Sequence, residues 1–336
     1  MNKLYFVFVC VFAFVLTSCD QVIDFKIDQP AESKLLVYAF PSDEDDYYVN
    51  VSMTMSVYGD LKPLDDVRVS CTTNGKADEV TLVNTEIHNG LPIAIYKAHG
   101  KHNCGDEINI TVDCKGVPTA TASTTIPKVT NFTLQDISET SFNNQHYMIF
   151  KIGFQDHPST DYYAVRVLRF EESKELAEWY EGVKDQITGI YDDYNYMYWR
   201  HCYEFYHILT DHEPLLQNYL DDNLDSWDSV YRFMYIFNDK DIKTPDVTMR
   251  LYAEDCYNKD CTVQFFTLSE EYYKMLDRLN SQLNNDLGTS GLSQMYSTFN
   301  NVKGGFGCVA GYTCQRRVEG SCSSLLRKPA ELERKG

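Results

Sequence analysis

The stretch YYVNVSMTMSVYG, residues 47–59, most constrains the fold because apolar and polar residues alternate through it without a break. Its alternating apolar members are Val49, Val51, Met53, Met55 and Val57. Successive side chains of a β-strand point to opposite faces, so a period of two places these residues on one face. The stretch therefore predicts a strand with one face against a core and the other in water.

Similar short runs follow up to residue 127, and dipeptides typical of turns separate them. The runs are VRVSC at 67–71, DEVTLV at 78–83, IAIYKA at 93–98, DEINITVDC at 106–114 and TATASTT at 119–125. The turn signals are Asn74-Gly75, Asn89-Gly90 and Lys115-Gly116. Short strands at regular spacing, without a helical period, predict a β-sandwich over residues 33–127.

Residues 128–316 predict a second β-rich domain that also holds one amphipathic helix near the C-terminus. Strand-like runs occur at 146–154, 161–170, 231–237, 246–252 and 261–268. The residues that share one helical face after position 269 are Tyr272, Met275, Leu276, Leu279 and Leu283. Ser269 is a natural N-cap for this helix, and Glu270 and Glu271 suit its first turn. Residues 317–336 are polar and predict a flexible tail.

The span from about 171 to 230 interrupts the strand pattern as a predicted insert, partly helical and rich in aromatic residues. Aromatic rings stack on apolar faces of sugars and peptides, while carboxylates and phenols exchange hydrogen bonds with them. We therefore predict a platform for a glycan or peptide ligand. Its residues are Trp179, Asp192, Asp193, Tyr194, Tyr196, Tyr198, Trp199 and Trp227. The alternative is an insert that only packs its aromatic side chains on the sheet.

The amino-terminal end carries an export signal that ends at a cysteine. Its apolar run, residues 4–16, has 13 members, whereas a membrane-crossing helix needs roughly 20 and a secretory signal core about 7 to 15. The sequence LTSC at 16–19 resembles the bacterial lipobox, in which the cysteine thiol receives diacylglycerol and the chain is cut before it. We predict a lipoprotein signal peptide at 1–18, lipidation of Cys19, with fatty-acyl chains such as palmitate, and a tether at 19–32. The alternatives are a plain cleavable signal and a retained membrane span.

The charge balance argues against nucleic-acid binding. The chain has 49 acidic and 30 basic residues, and loss of Lys3 with the signal takes its formal charge from −19 to −20. Such an acidic surface repels phosphate backbones. We therefore expect contact with a membrane through the lipid, and no nucleic-acid partner.

Nine of the 11 cysteines remain in the mature body, because Cys10 leaves with the signal and Cys19 is lipidated. Export into an oxidising compartment favours disulfides over thiols. Local spacing makes two pairs the candidates, Cys104 with Cys114 and Cys256 with Cys261, since each pair is placed to close a hairpin or loop. The odd cysteine stays unassigned. Zinc is the alternative, but no Cys-x-x-Cys spacing occurs.

No motif predicts a catalytic residue, a cofactor or a metal ion. Candidate metal ligands cluster within the insert at His201, Cys202, Glu204, His207, His212 and Glu213. On a helix, His201, Glu204 and His207 spread too widely for a tight three-ligand site. The zinc-protease pattern also fails, because Leu216 stands where the second histidine is required. We therefore expect a protein that is not an enzyme.

The order of several motifs is familiar. They are KLLVYAF at 34–40, YYVNVSMTMSV at 47–57, PLDDVRVSC at 63–71, TASTTIP at 121–127, DYYAVRVLRF at 161–170, TLSEEYYKMLDRLNSQ at 267–282 and YSTFNNVKGGFGCVAGY at 296–312. Together with the lipobox, this order resembles the Bacteroidota envelope lipoproteins of domain-of-unknown-function family 4249 (DUF4249). The resemblance covers roughly residues 19–315 and is most specific over 269–312, which contains an Asn-x-x-x-Gly-x-Gly run. The aromatic insert, most cysteines and the tail beyond Gln315 have no counterpart in the family pattern.

The resemblance implies an immunoglobulin-like or transthyretin-like first domain, a second mostly β domain and an outer-membrane location, often near genes for TonB-dependent transporters. It implies no catalytic residues. We therefore expect a lipid-anchored outer-membrane accessory or ligand-binding lipoprotein, associated with TonB-dependent uptake of a nutrient, on either face of that membrane. The alternative is a structural adhesin or surface assembly subunit.

Overall fold

The computed structural model describes residues 33–43, 46–54, 64–88, 91–157, 159, 161–170, 203–216, 234–254, 261–283 and 298–318. The first eight strands are β1 (Leu35–Ala39), β2 (Tyr47–Met53), β3 (Arg68–Thr73), β4 (Lys76–Ala77), β5 (Glu79–His88), β6 (Leu91–His99), β7 (Glu107–Asp113) and β8 (Ala120–Thr125). The later strands are β9 (Phe132–Phe142), β10 (Gln145–Gln155), β11 (Tyr162–Phe170), β12 (Tyr203–Tyr206), β13 (Tyr235–Asn238), β14 (Asp246–Glu254), β15 (Thr262–Leu268), β16 (Phe306–Val309) and β17 (Tyr312–Val318). Helix α1 spans Glu270–Leu283. The fold is mostly β, as predicted.

Two sheets enclose the first core. One has the strand order β16-β1-β2-β6-β5 and the other β4-β3-β7-β8. In β2, Tyr47, Val49, Val51 and Met53 are buried while Tyr48 is exposed, which confirms the alternation as far as the strand extends. The core also takes in Leu35, Val37, Ile108, Ile110 and Val112. Residues beyond 54 in the predicted strand lie outside the described part of the chain.

Two further sheets surround a larger, aromatic core. One has the order β14-β10-β9 and the other β12-β11-β15-β17, with β13 also paired to β11. The Phe154 ring of β10 lies 5.4 Å from Tyr163 of β11 and 5.0 Å from Phe265 of β15, measured between centroids. Aromatic side chains bury large areas, so these contacts carry much of the packing between the two sheets.

Helix α1 begins and packs as the sequence predicts. The backbone N–H of Tyr272 donates to Ser269 Oγ at 3.3 Å, which makes Ser269 the N-cap. Tyr272, Met275 and Leu276 are buried against the aromatic core, and Leu279 packs on it from the side. No helix in the described ranges is long and apolar enough to cross a bilayer.

Strand β16 comes late in the chain but belongs to the sheet of the first core. It pairs in parallel with β1, from Leu36 opposite Phe306 to Ala39 opposite Val309. Val309 therefore lies in the first core, while Cys308 lies in the second. The sheet that contains β1 therefore also contains a strand from residues 128–316, the span that the sequence predicts as a second domain.

The Asn-x-x-x-Gly-x-Gly run makes this crossing possible. A Cβ on Gly305 would lie 2.6 Å from Leu35 O, and one on Gly307 would lie 2.0 Å from Val37 O. Only glycine admits such a close backbone approach. Asn301 Nδ2 donates to Val309 O at 2.7 Å, and Val309 N donates to Asn301 Oδ1 at 3.0 Å. The motif thus holds β16 against β1 and so links the two hydrophobic cores.

Candidate functional site

Most of the predicted site residues lie outside the part of the chain that the structure describes. This applies to the lipidation residue Cys19 and to the whole aromatic platform of Trp179, Asp192, Asp193, Tyr194, Tyr196, Tyr198, Trp199 and Trp227. Their assignments stay predictions. The structure does place several of the cysteines and part of the histidine cluster. It also shows polar groups that the sequence does not indicate.

The predicted bond between Cys104 and Cys114 is wrong. Both residues carry free thiols, Cys104 exposed and Cys114 buried. They lie at opposite ends of β7, whose seven residues span about 23 Å, whereas a disulfide holds its Cα atoms about 6 Å apart. Cys261 is disulfide-bonded, but Cys256 lies outside the described residues, so the pairing of these two stays a prediction.

The described members of the histidine cluster do not share a site. Residues 203–206 form strand β12, so the chain here is extended and not helical. His207 Nδ1 lies 3.4 Å from Glu254 Oε2, while the ring centroid of His212 lies 5.3 Å from that of Tyr252, with the two rings tilted by 43°. Glu213 is buried and accepts hydrogen bonds from the backbone N–H of Arg250 at 2.7 Å. Burial raises the pKa of Glu213, and the Arg250 bond opposes that shift.

Three aspartates converge where the turn between β10 and β11 meets the chain after β13. Carboxylate oxygens of Asp156, Asp161 and Asp239 lie within 4.8 Å of one another. Antiparallel pairing of β11 with β13 brings the last two together. Asp161 N donates to Asp239 Oδ2 at 2.8 Å, and Asp239 N donates to Asp161 O at 3.3 Å. These two bonds join the turn before β11 to the chain after β13.

The aspartate cluster is electrostatically strained. Burial raises the pKa of Asp156, the negative charges of Asp239 and Asp161 raise it further, and a hydrogen bond from Tyr163 opposes the shift. Tyr163 OH lies 3.2 Å from Asp156 Oδ1 and 3.4 Å from Asp161 Oδ2. Carboxylate oxygens are ligands that Ca²⁺ and Mg²⁺ prefer. In the described ranges these three residues are the ones with the geometry to hold such an ion.

Sequence spacing gave no signal for this cluster. Asp239 lies 78 residues after Asp161, and neither segment has the ligand spacing of a metal loop. Only the pairing of β11 with β13 places the two aspartates together.

A recessed arginine is the second polar feature that sequence reasoning missed. Arg166 of β11 stands opposite Gln264 of β15, which stands opposite Arg316 of β17. Arg166 Nε donates to Gln264 Oε1 at 2.5 Å. The guanidinium carbon lies 5.2 Å from the centroid of the Phe205 ring and 5.1 Å from that of Phe266. Arg166 is thus held by an amide and two aromatic rings.

A shallow cleft opens between the first sandwich and the amino-terminal end of α1. Its lining consists of Glu107, Ser123, Thr124, Thr125, Pro127, Ser269, Glu270 and Glu271. Thr124 Oγ1 already accepts a hydrogen bond from Gly311 N, and Glu270 pairs with Lys274 at 2.8 Å. No aromatic ring lines the cleft, so it lacks the stacking surface expected for a glycan.

Comparison with known protein families gives a match that covers most of the chain. The sequence model of the family described as Domain of unknown function (DUF4249) matches residues 20–317. No curated protein matches the chain. The family match begins at the residue after Cys19 and ends within β17. Because it covers most of the sequence, this chain belongs to the DUF4249 family.

Proposed function

We propose that this protein is a lipid-anchored lipoprotein of a bacterial outer membrane that binds a ligand or serves a TonB-dependent transporter as an accessory subunit. The observation that carries the proposal is the position of the family match, which starts at residue 20, directly after the lipobox cysteine Cys19. The family sequence would then begin directly after the anchor residue, and acyl chains on Cys19 would hold the protein at the bilayer. The anchor raises the effective concentration of the body near a membrane partner.

The residues of the Asn-x-x-x-Gly-x-Gly motif and of the aspartate cluster make structural contacts, which favours a non-catalytic role for them. The Asn301 amide and the glycines of its motif join β16 to β1. The converging carboxylates, Asp156 and Asp161, accept hydrogen bonds from Tyr163. These residues are engaged in holding the fold, so we propose no catalytic role for them. The predicted aromatic insert at 171–230 remains the proposed contact surface for a glycan or peptide.

Co-purification from the native host tests the transporter partnership. The envelope is dissolved in non-ionic detergent and the protein is captured through a tag on its C-terminus. We expect a β-barrel transporter at fixed stoichiometry with the wild type, and its loss with C19S, which cannot be acylated. Recovery of the same transporter with unanchored C19S would refute the role of the anchor, and recovery of no transporter would refute the partnership.

The enzymatic alternative is tested on the insert. A glycosidase needs two carboxyl groups about 5 to 10 Å apart across a cleft. We expect the D192N and D193N variants to leave any glycan turnover by the purified protein unchanged. A loss of turnover in either variant would overturn the non-enzymatic proposal.

An edge strand favours the second candidate, an adhesin or assembly subunit. β5 is the outermost strand of its sheet, and Leu82, Val83 and Ile87 on it are 55%, 54% and 67% exposed. An exposed apolar edge is a template for strand addition by a neighbouring molecule. Against this, the pairing of β5 with β6 is interrupted between Leu82 and Asn84, and such bulges blunt an edge. Cross-linked ladders that disappear in L82K/I87K would establish assembly through β5.

A further inference from the structure

Three exposed aromatic side chains share the outer face of the sheet that contains β1. Tyr38 of β1 and Tyr48 of β2 are each 39% exposed, and Phe306 of β16 is 42% exposed. Tyr38 stands opposite Cys308 of β16 and opposite Asn50 of β2. Phe306 lies two residues before Cys308 and Tyr48 two residues before Asn50, so all three rings point to the same face. They form a diagonal row across three neighbouring strands, which we call the aromatic strip.

The aromatic strip runs along the border of the second core. Phe40 and Cys308 point to the same face on one side of the strip, and both are covered. The Phe40 ring lies 5.0 Å from the ring of Tyr272 in α1, and Cys308 is buried in the second core. On the other side Asn50 is half-buried, and Ile95, opposite it in β6, is 2% exposed. The exposed rings therefore lie in a narrow opening between covered surfaces.

The spacing of the rings suits an extended ligand. Strands lie about 4.8 Å apart and rise about 3.3 Å per residue. The Cα atom of Tyr38 is therefore about 8 Å from that of Tyr48 and about 8 Å from that of Phe306. The whole strip then spans about 16 Å. A row of rings at regular spacing favours a linear ligand that presents the same apolar surface repeatedly.

The charged groups beside the rings favour an uncharged ligand that is rich in hydroxyl groups. Lys97 Nζ lies 5.7 Å from the centroid of the Tyr48 ring and 3.0 Å from Asp46 Oδ2. Lys34 Nζ lies 5.2 Å from the centroid of the Phe306 ring. A protein surface that covered the strip would take these charges out of water, which is costly, whereas sugar hydroxyls can exchange hydrogen bonds with them. The formal charge of −19 argues against a nucleic acid.

We propose that the aromatic strip of Tyr38, Tyr48 and Phe306 is a binding site for a linear, neutral oligosaccharide. The apolar faces of its sugars stack on the three rings, and its hydroxyl groups bond to Lys97 and Asp46. The site goes beyond the contact surface proposed at 171–230, because it consists of different residues. It also requires no transporter.

The test is calorimetric titration of the full-length protein, in a polyoxyethylene detergent that carries no sugar, with cellohexaose, laminarihexaose, mannohexaose and chitohexaose. We expect saturable binding of at least one of these hexasaccharides by the wild type. Y38A and Y48A should each weaken it by about tenfold, while Y38F and Y48F, which keep the ring, should bind within about threefold of the wild type. The matched control L82A removes an exposed apolar side chain of β5 in the same sheet and should bind as the wild type does.

Hydroxyl-radical footprinting of the wild type keeps the test decisive if an alanine variant does not fold. The bound hexasaccharide should lower the oxidation of Tyr38, Tyr48 and Phe306 and leave that of Leu82 unchanged.

Three results would overturn the proposal. They are binding of none of the hexasaccharides, binding that W199A abolishes while Y38A and Y48A leave it intact, and self-association of the protein that Y38A and Y48A abolish in the absence of sugar binding. The second result would assign the sugar to the insert, and the third would make the strip an interface between copies of the chain. The transporter pull-down is independent of all three.

Discussion

A methyl group added at Gly304 tests whether the crossing segment, residues 301–307, which lead into the pairing of β16 with β1, is held by backbone contacts. Gly304 has a φ of +77°, and a Cβ there would lie 2.1 Å from Thr119 O. Real Cβ atoms do not approach that closely, so β8 or the crossing segment has to move. Two backbone hydrogen bonds depend on their positions, from Thr121 N to Lys303 O at 2.9 Å and from Lys303 N to Thr121 O at 2.8 Å.

The chain offers a matched control for the backbone strain alone. Gly75 has the same φ of +77°, but a Cβ there would meet nothing within 4 Å. Alanine in the left-handed region costs about 1 kcal/mol, so G75A should lower the free energy of unfolding by about that amount. Loss of two hydrogen bonds at about 1 kcal/mol each adds to the strain in G304A, giving about 3 kcal/mol in total.

Urea unfolding followed by fluorescence measures both variants. The difference between G304A and G75A, about 2 kcal/mol, isolates the contact with Thr119 from the backbone strain that the two share. Equal destabilisation by the two substitutions would refute the reasoning, because it would mean that the crossing segment has room for a side chain.

Three further changes test other parts of the fold. N301A removes both hydrogen bonds to Val309 and should lower the free energy of unfolding in urea by about 2 kcal/mol. The control N109A should lower it by less than about 0.5 kcal/mol. The raised pKa of Asp156 means that ionisation of this carboxyl opposes folding, so wild-type stability falls as pH rises from the ordinary value towards the raised one. D156N should therefore be more stable than the wild type at pH 7, by less than about 1 kcal/mol because solvent screens this partly exposed carboxyl, with no advantage at pH 3; a wild type equally stable at pH 7 would contradict this. A maleimide should label Cys104 at once and Cys114 only after unfolding; a peptide that links the two would contradict the free thiols.

Patterns within one segment could be predicted from the sequence, but the pairing of one strand with another could not. The alternation in β2 and the Ser269 cap are local, since each depends on neighbouring residues. The pairing of β16 with β1 joins residues 270 positions apart, and a period of two does not say which strand lies alongside. The close approach of the motif glycines to β1 became visible only with that partner in place.

The error at Cys104 and Cys114 has a similar origin. Their spacing was taken to close a hairpin, although the residues between them form one of the predicted strands. An extended strand keeps its ends apart. Arg166 lies in a strand that the sequence predicts, but its contacts are with Gln264 and Phe266 of β15 and with Phe205 of β12. β12 falls within the insert, for which the sequence predicts no strand.

Intact-mass spectrometry of the protein from the membranes of its native host tests the anchor most directly. The account predicts a mature chain that begins at Cys19 and carries the added mass of a diacylglyceryl group, with or without a further acyl chain on its amino terminus. A chain that begins elsewhere, or one that begins at Cys19 with an unmodified thiol, would contradict the proposed attachment to the membrane.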